Sequence, residues 1–376
     1  MGKVIAVFDG CGTEYDENTL RQKGLGGSET WIIYIAESLA KIPDTHVFVY
    51  CNCDYHPHYK YPNIEFRPHQ YFIYSNLNYD AIIISRALSA GLLDKLKQSK
   101  CCDNIYLIGH DVSIEYLNEN NELEVLTYNH FLKDDFMKNN IKKIFVLSKW
   151  AKEYIISISN FPENMVELTH YGINDKLLNV NNILQRDNNI FWSNCIERNF
   201  NVLVEKIAPK IIEKYPDFKI YFSYYGDMEN EYRKPWLYLL DKDYVVNVGT
   251  LSKEQLYNEM SKHKCSFYPL LFEETFCMSC IEQIMCGTHL FMPLRYGPDT
   301  ILEPYKYMFL DNNIQFETEE EINSTVDKII YMFEHYNDED NIKFRKSVQN
   351  YLINKFDWDK IAKDLYNKMN LNYEEI

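Results

Sequence analysis

The stretch 264-KCSFYPLLFEETFCMSCIEQIMCGTHLFM-292 contains two short apolar runs separated by an acidic loop and a helical pattern. The apolar runs at 264–268 and 289–292 predict buried strands, and residues 276–286 predict the helix between them. A strand, a helix and a second strand in succession form a βαβ unit, whose two strands lie parallel in one sheet. The stretch therefore predicts an α/β fold.

The same alternation of apolar runs and helical patterns continues over most of the chain. It occurs once in each half, which predicts two doubly wound domains with mostly parallel sheets. Further predicted strands are 3–8, 46–51, 80–85, 104–109, 143–147, 189–193, 218–223 and 244–248. Further predicted helices are 28–41, 88–98, 128–138, 148–159, 199–214, 252–262 and 319–335.

The pattern breaks between 172 and 188, where Gly172 and an Asn-rich stretch interrupt it. We therefore predict an N-terminal Rossmann-like domain over 1–172, a C-terminal Rossmann-like domain over 173–355 and a closing helix over 356–376. Parallel sheets of this type bind ligands beyond the carboxyl ends of their strands. Two such edges facing each other predict a cleft that holds the chemistry.

The chain has 376 residues with 39 basic and 55 acidic side chains, which give a formal net charge of −16. This field repels phosphate backbones, and no Lys/Arg-rich run offsets it, which argues against a nucleic-acid partner. It also repels an anionic membrane face on average. The mildly basic stretch 142–161 leaves peripheral membrane contact open, but an ordinary domain helix is the favoured interpretation.

No segment reaches the roughly 20 apolar residues that span a bilayer. The N-terminal apolar run 3–8 is too short for a signal peptide and predicts a first buried strand, followed by Asp9. We therefore expect a cytoplasmic protein whose ten cysteines are reduced thiols. Cys277 and Cys280 form a C-x-x-C, but no second pair at zinc spacing accompanies it, which disfavours a metal or redox site.

Two carboxylates flank the predicted helix start in the quoted stretch. Glu274 precedes the helix, and Glu282 lies about two turns inside it, on the face turned toward the same end. Between them, the amides of Phe276, Cys277 and Met278 form the predicted helix N-terminus, where unpaired N–H groups and the helix dipole suit a diphosphate. One carboxylate would then meet a sugar and the other a ribose. The plain alternative, an amphipathic helix with acidic residues at its start, explains one Glu but not the strand–loop–helix context.

A glycine-rich segment precedes the first apolar helical run, with the sequence Lys23-Gly24-Leu25-Gly26-Gly27-Ser28-Glu29-Thr30. A loop of this kind opening a helix approaches a pyrophosphate closely or leaves room for an acceptor. It is not the dinucleotide fingerprint, because Glu29 stands where that pattern needs Gly. Taken alone, the segment is equally consistent with a flexible turn and a Ser28 N-cap.

Two further polar residues follow predicted strands. His110 lies directly beyond the strand 104–109, and Arg198 lies in the loop after the strand 189–193. A lone His is more often structural than catalytic, and a lone Arg is more often a solvated surface residue. A planar, permanently charged guanidinium is nonetheless well suited to hold a diphosphate.

The strand–loop–helix motif resembles that of the retaining glycosyltransferases of family 4, which have the GT-B fold. Their hallmark is E-x-F-G-x-x-x-x-E, and Glu274, Phe276 and Glu282 match it, with Thr275 and Cys277 where glycines are usual. The resemblance implies that Glu274 lies beside the donor sugar and that Glu282 binds the ribose hydroxyls.

Other segments resemble the family in the expected order along nearly the whole chain. The resemblance implies that Gly26 and Gly27 face the donor phosphates and the acceptor, and that His110 lies near the donor sugar. It implies that Arg198 holds the diphosphate and that Leu251 contacts the base. It also implies an acceptor side in 1–172, a donor side in 173–355 and a last helix that crosses back to the N-terminal domain.

These matches predict a retaining glycosyltransferase that moves a sugar from a nucleotide-diphosphate sugar to a hydroxyl of a glycan, glycoconjugate or other acceptor. Arg198 and the helix amides would stabilise the leaving diphosphate, while Glu274 and His110 orient the sugar. No D-x-D motif is placed for a metal, and this fold does not usually need one, so we expect no metal and no other cofactor. Two alternatives stay open: an epimerase or hydrolase on the same fold, and a catalytically silent nucleotide-sugar or glycan-binding protein.

Overall fold

A computed structural model describes residues 2–10, 13–54, 61–99, 101–117, 123–126, 135–159, 161–174 and 185–371. The strands are β1 (Lys3–Asp9), β2 (Thr45–Cys51), β3 (Ile64–Pro68), β4 (Ala81–Ser85), β5 (Ala87–Ser89), β6 (Ile105–Gly109), β7 (Ile114–Leu117), β8 (Leu123–Leu126), β9 (Ile141–Val146), β10 (Val166–Leu168), β11 (Asp187–Trp192), β12 (Ile220–Ser223), β13 (Val245–Gly249), β14 (His263–Phe267) and β15 (His289–Phe291). The helices are α1 (Thr19–Gln22), α2 (Gly27–Leu39), α3 (Tyr71–Tyr74), α4 (Ala90–Ser99), α5 (Asp135–Asn140), α6 (Lys149–Ile158), α7 (Ala208–Lys214), α8 (Lys253–Met260), α9 (Met278–Met285), α10 (Tyr296–Ile301), α11 (Glu319–His335), α12 (Glu339–Lys355) and α13 (Trp358–Lys368).

The chain folds into two compact units. Unit 1 comprises Met1–Thr19, Gly27–Gly172 and Phe356–Ile376, and unit 2 comprises Leu20–Gly26 and Ile173–Lys355. The segment Leu20–Gly26 therefore belongs to unit 2, although the predicted division assigns it to the N-terminal domain. Gly24 packs against loops of unit 2, a contact between distant parts of the sequence that no local pattern reveals.

A seven-stranded parallel sheet in the order β10-β9-β6-β4-β1-β2-β3 forms the centre of unit 1. The runs AIIIS of β4 and IYLIG of β6 are wholly buried, as expected for strands in the middle of a parallel sheet. Strands β2 and β3 lie on one side of β1, and the later strands of the sheet, from β4 to β10, lie on the other side. The carboxyl ends of β1 and β4 therefore flank a topological switch point.

The last helix packs within unit 1. Asp357 caps α13 by accepting a hydrogen bond from the backbone N–H of Lys360. The Trp358 ring lies 5.1 Å from the ring of Tyr34 on α2, and it covers Gly172 so closely that a β-carbon there would lie 2.2 Å from the indole. Tyr106 of β6 donates a hydrogen bond to the carbonyl of Met369. The segment 356–371 thus completes the unit that begins at the N-terminus.

A five-stranded parallel sheet in the order β13-β12-β11-β14-β15 forms the centre of unit 2. Strand β11 lies between β12 and β14, so the carboxyl ends of β11 and β14 flank the switch point of this sheet. Helix α9 connects β14 to β15 as the quoted βαβ unit predicts. Helix α12 supports α9 from outside, because the Gln349 side-chain amide donates to the carbonyls of Ile284 and Met285.

All the predicted strands coincide within two residues with described strands. The predicted helix 199–214 differs, because it contains a π-helical segment at Val202–Ile207 before α7. Pro209 has no backbone N–H, so the regular hydrogen-bond ladder is broken where the two segments join. Of the predicted helix 128–138, residues 128–134 lie outside the described residues, and α5 covers Asp135–Asn140.

The structure also contains strands and helices that the sequence patterns do not predict. The strands are β3, β10 and a separate small sheet in the order β5-β7-β8, and the longer helices are α10 and α12. The nine cysteines that the structure describes are unpaired thiols. Within the described ranges, no helix is both long and apolar enough to cross a membrane. Helix α6, in the mildly basic stretch, buries Ala151 and Ile155 in the core of unit 1.

Candidate functional site

The loop after β14 places Glu274 at the switch point of the unit 2 sheet. Helix α9 begins at Met278, and its N-cap residue Cys277 has the left-handed conformation φ 67°, ψ 70°. This turn brings the backbone N–H groups of Phe276 and Cys277 onto the Glu274 carboxylate, at 3.4 and 3.2 Å from Oε1. Glu274 therefore accepts hydrogen bonds from the loop that leads into α9, and two of the three amides predicted to face a diphosphate, those of Phe276 and Cys277, face this carboxylate here.

The loop after β11 brings Arg198 to the same carboxylate. Arg198 Nη1 lies 3.1 Å from Glu274 Oε2, and the guanidinium lies 5.0 Å from the centre of the Phe272 ring. Arg198 Nη1 is also 3.4 Å from the hydroxyl of Tyr268, a residue whose pKa is raised by its complete burial. About a third of the Arg198 side chain is exposed, against 14% of the Glu274 side chain. The two residues are 76 positions apart in sequence, and the adjacent strand ends bring them together.

Side-chain hydrogen bonds hold α9 against the β11 loop. Gln283 Nε2 donates to Ser193 Oγ at 2.7 Å, and the Ser279 hydroxyl donates to the Asn194 side chain. Trp192, which is fully buried, donates from its indole N–H to the carbonyl of Asn194 at 2.8 Å. The helix N-terminus and the loop of Arg198 are thus fixed relative to each other by buried polar contacts.

Glu282 lies about one turn inside α9 and is buried in an ion pair. Lys253 Nζ is 2.7 Å and the Tyr257 hydroxyl is 2.6 Å from Glu282 Oε1. The Lys253 and Glu282 side chains are each only 7% exposed. Both partners come from α8, whose N-terminus is fixed by a capping box of Ser252 and Gln255. Lys253 and Tyr257 are absent from the sequence-based prediction, since nothing in their local pattern distinguishes them from surface residues.

Gly297 fixes the backbone of the Glu274 loop. Its N–H donates to the carbonyl of Glu274 at 2.9 Å. A β-carbon on Gly297 would lie 2.0 Å from the Thr275 carbonyl oxygen and 2.7 Å from that of Glu274. Only glycine therefore permits the start of α10 to approach this loop so closely.

The glycine-rich segment meets the loop of Leu251 within unit 2. A β-carbon on Gly24 would lie 3.3 Å from the Leu251 carbonyl oxygen and 3.5 Å from Tyr225 Cβ. Gly249, two residues before Leu251, has a φ of +72° and lets the chain turn from β13 toward α8. The segment that ends at Gly26 therefore lies next to Leu251, the predicted base contact, through Gly24.

Gly27 and His110 lie in unit 1. A β-carbon on Gly27 would lie 3.0 Å from the Tyr171 hydroxyl, and that hydroxyl shares a hydrogen bond of 3.0 Å with His110 Nδ1. The His110 ring lies edge-on to Trp31 at 5.5 Å. Burial, aided by the positive charge of Arg86, lowers the pKa of His110 well below its usual range, so the imidazole is neutral near pH 7.

A buried charge cluster at the switch point of unit 1 is a further feature that the sequence patterns do not reveal. Arg86, in a left-handed conformation after β4, places Nη2 3.2 Å from Asp9 Oδ2 and 2.8 Å from Glu29 Oε1. The Tyr15 hydroxyl donates to Asp9 Oδ2 at 2.8 Å. Burial raises the pKa of Asp9, and Arg86 opposes that effect. The position of Asp9 directly after the first strand is the signal that could have indicated the cluster.

Solved structures similar to this fold include several glycosyltransferases. Sucrose-phosphate synthase from Thermosynechococcus elongatus has a TM-score of 0.72 over 98% of this chain and 99% of that chain, at 16% identity. HepE from Anabaena, solved with UDP and glucose, has a TM-score of 0.67 over 98% of this chain and 100% of that chain, at 10% identity. A glycosyltransferase from Rickettsia africae has a TM-score of 0.67 over 99% of this chain and 100% of that chain, at 13% identity.

No protein-family model matches the sequence, and no curated protein matches it. The structural likeness confirms the predicted fold class: the chain is an α/β protein with two parallel sheets and the GT-B fold.

Proposed function

We propose that this chain is a nucleotide-sugar-dependent glycosyltransferase that retains anomeric configuration, related to family 4. The observation that carries the proposal is the convergence of Arg198, Glu274 and the backbone amides directly before α9 at the switch point of unit 2. An arginine guanidinium and the backbone N–H groups near a helix N-terminus are both well suited to bind a diphosphate. The buried Glu282 lies on the same helix.

The donor diphosphate takes over contacts that Glu274 makes in this structure. Arg198 Nη1 and the Cys277 N–H both donate to the Glu274 carboxylate, and both would bind phosphate oxygens equally well. When the diphosphate binds there, the Glu274 carboxylate turns to the donor sugar. It then lies beside the anomeric carbon, where positive charge develops as the diphosphate departs.

Other residues recognise the nucleoside. Lys253 and Tyr257 both engage Glu282 Oε1, so the proposal assigns the second carboxylate oxygen to the ribose hydroxyls. The Leu251 backbone contacts the base, and the backbone at Gly26 and Gly27 approaches the phosphates and the acceptor. His110 keeps its predicted role at the donor sugar, and a His110→Ala variant tests that role separately.

The proposal includes no resident metal, since Arg198 and the α9 amides supply the positive charge that the leaving diphosphate needs. HepE, one of the similar structures, was solved with UDP and glucose. UDP-sugars are therefore the first donors to test, with GDP-, ADP- and dTDP-sugars beside them. Activity that survives a chelator would support the metal-free proposal, and activity that vanishes would refute it.

The deciding experiment is a thermal-shift screen against these donors, followed by assay of the stabilising donor with hydroxyl acceptors. A ligand at about a hundred times its dissociation constant stabilises the folded state by about 2.7 kcal/mol. We expect Arg198→Ala and Glu282→Ala to abolish the shift. Lys214→Ala is the matched control, because Lys214 pairs with Glu334 on the surface of the same unit and should leave the shift intact.

The two alternatives give different results in the same experiment. A donor that binds but is never consumed would indicate a silent binding protein. Free sugar released without an acceptor would indicate a hydrolase, and an isomerised donor would indicate an epimerase. Transfer with inversion at the anomeric carbon would refute the retaining mechanism.

A further inference from the structure

Two thiols lie close together at the start of α9. The sulfur atoms of Cys277 and Cys280 are 3.0 Å apart, and both side chains are buried. Bonded disulfide sulfurs are about 2.05 Å apart, so the pair lies about 1 Å from bonding distance.

The backbone brings the two side chains together. Cys277 is the N-cap residue in the left-handed conformation, and Cys280 lies three residues later in the first turn of the helix. The left-handed turn at Cys277 directs its side chain back toward the first turn of the helix, where it meets Cys280. Cys286, at the other end of α9, lies too far along the helix to join this pair.

The two cysteines differ in access to solvent. Cys277 keeps 5% of its surface exposed, whereas Cys280 is completely buried. Burial, together with the neighbouring Cys277 thiol, raises the pKa of Cys280 well above its usual range, so Cys280 holds its proton. An oxidant must therefore be small, and it must react first at Cys277.

We propose that Cys277 and Cys280 are a modification site, at which a peroxide converts the two thiols reversibly into a disulfide. The Cys277 sulfur attacks one oxygen of hydrogen peroxide, which breaks the O–O bond, forms a sulfenic acid and releases one water. The Cys280 sulfur then attacks the Cys277 sulfur, loses its proton and displaces a second water. Two thiols and one peroxide thus give one disulfide and two waters, and a dithiol reductant reverses the change.

The disulfide acts on the Glu274 contact. The Cys277 N–H that donates to Glu274 Oε1 belongs to a residue that the bond would tether to the first turn of α9. The tether holds this N–H on the carboxylate, which is the contact that a diphosphate must take over. Oxidation should therefore weaken nucleotide binding, a consequence that rests on the proposed function, whereas the disulfide itself does not.

The test of the disulfide is a peptide map of the full-length protein after treatment with hydrogen peroxide, unfolding and alkylation of free thiols. We expect the peptide with Cys277 and Cys280 to escape alkylation and to be lighter by two hydrogens than in the reduced protein. Dithiothreitol should restore both alkylation sites. The control variant Cys286→Ser should behave the same, while Cys280→Ser should leave Cys277 as a sulfenic or higher acid.

The unmutated protein decides the question even if a variant does not fold. Alkylation of both Cys277 and Cys280 after peroxide treatment, or a bond from either one to another cysteine, would overturn the proposal. The thermal shift with the stabilising nucleotide should be smaller for the oxidised protein, and equal shifts would overturn the consequence for binding. If no nucleotide shifts either form while the disulfide is present, the proposed function fails and the modification site stands.

Discussion

Cys277 stands where the motif that the sequence resembles usually has glycine. Its φ of 67° is a conformation that glycine adopts freely and a residue with a β-carbon adopts at a cost of about 1–2 kcal/mol. The glycine that is usual at this position thus has a structural reason in the turn before α9. The thiol at this position lies 3.0 Å from the sulfur of Cys280.

Because of this backbone strain, we expect glycine to have opposite effects on stability at Cys277 and at Cys280. Cys277→Gly should be more stable than Cys277→Ala by about 1 kcal/mol, because glycine removes the strain of the left-handed conformation. Cys280→Gly should be less stable than Cys280→Ala by about 1 kcal/mol, because Cys280 lies inside the helix. Urea unfolding of the four variants measures both differences. The same sign at both positions would contradict the argument.

The proposed function gives Glu274 two roles that one substitution separates. If the Glu274 carboxylate supports the donor sugar as proposed, Glu274→Gln removes that negative charge and transfer should fall by at least a hundredfold. The same change frees Arg198 and the Cys277 N–H from a competing carboxylate, so nucleotide binding should be retained or tightened. Steady-state transfer and calorimetric nucleotide titration measure the two effects. Full transfer activity in this variant would refute the assigned role.

At the level of elements, α8 and α9 are joined by a buried ion pair between Lys253 and Glu282. Lys253→Met leaves the carboxylate without its cation and should destabilise the protein by about 3 kcal/mol or more. Adding Glu282→Gln should recover part of this loss, because the uncompensated charge is then gone. Lys214→Met, which breaks an exposed pair with Glu334, should cost much less stability. Additive costs of the first two substitutions would show that the two residues are not coupled.

The approach of α10 to the Glu274 loop gives a second prediction for elements. In Gly297→Ala the new methyl group overlaps the carbonyls of Thr275 and Glu274, so the loop must move away from α10. We expect a loss of about 1–3 kcal/mol in stability and a larger loss in transfer, because Glu274 moves with the loop. Gly24→Ala, whose methyl group would meet its nearest neighbour at 3.3 Å, should cost less stability. Equal unfolding free energies of the two variants would contradict the close approach.

The elements that sequence patterns predict are those with an apolar periodicity. The central strands are continuous apolar runs, and every one of them is predicted. The edge strand β3 alternates buried Ile64 and Phe66 with the charged Glu65 and Arg67, so its five residues do not form such a run. Helix α12 is missed because its buried face includes polar residues, among them Gln349, which acts through hydrogen bonds to α9. Such faces are defined by their partners and not by hydropathy.

The predictability of the candidate site follows the same rule. Glu274 and Arg198 are predicted because each follows a recognisable strand, and Glu282 is predicted by its spacing from Glu274 in the motif. The partners of these residues in the structure are not predicted, because the hydrogen bond between Arg198 and Glu274 joins residues 76 positions apart. Lys253 follows a helix cap, where a lysine is normally solvated, and only the packing of α8 on α9 buries it.

For the whole molecule, buried histidines predict a loss of stability in acid. Burial, together with the positive charge of Arg345, lowers the pKa of His289 from 6.5 to about 3. Burial is also the main cause that lowers the pKa values of His110 and His263. Below pH 6.5 the unfolded chain binds protons that the folded chain does not. Stability is therefore full above that pH and declines as the pH falls toward 3.

His289→Gln tests this dependence. Between pH 6 and pH 3.5 the variant should lose stability with falling pH less steeply than the parent, by about 1.4 kcal/mol per pH unit. Urea unfolding at a series of pH values measures the two slopes. Identical slopes would show that His289 is protonated in the folded state as readily as in the unfolded chain.

The interleaving of the two units has a consequence for biosynthesis. A ribosome releases the chain from its N-terminus, so unit 1 starts first, yet it lacks Phe356–Ile376 until after unit 2 has received its last residue, Lys355. Until then the nascent chain has no Trp358 to cover Gly172 and no Met369 carbonyl for Tyr106. The unit that is begun first is the one that is finished last, and a chain that ends near residue 355 contains all of unit 2 but a unit 1 without its last helix.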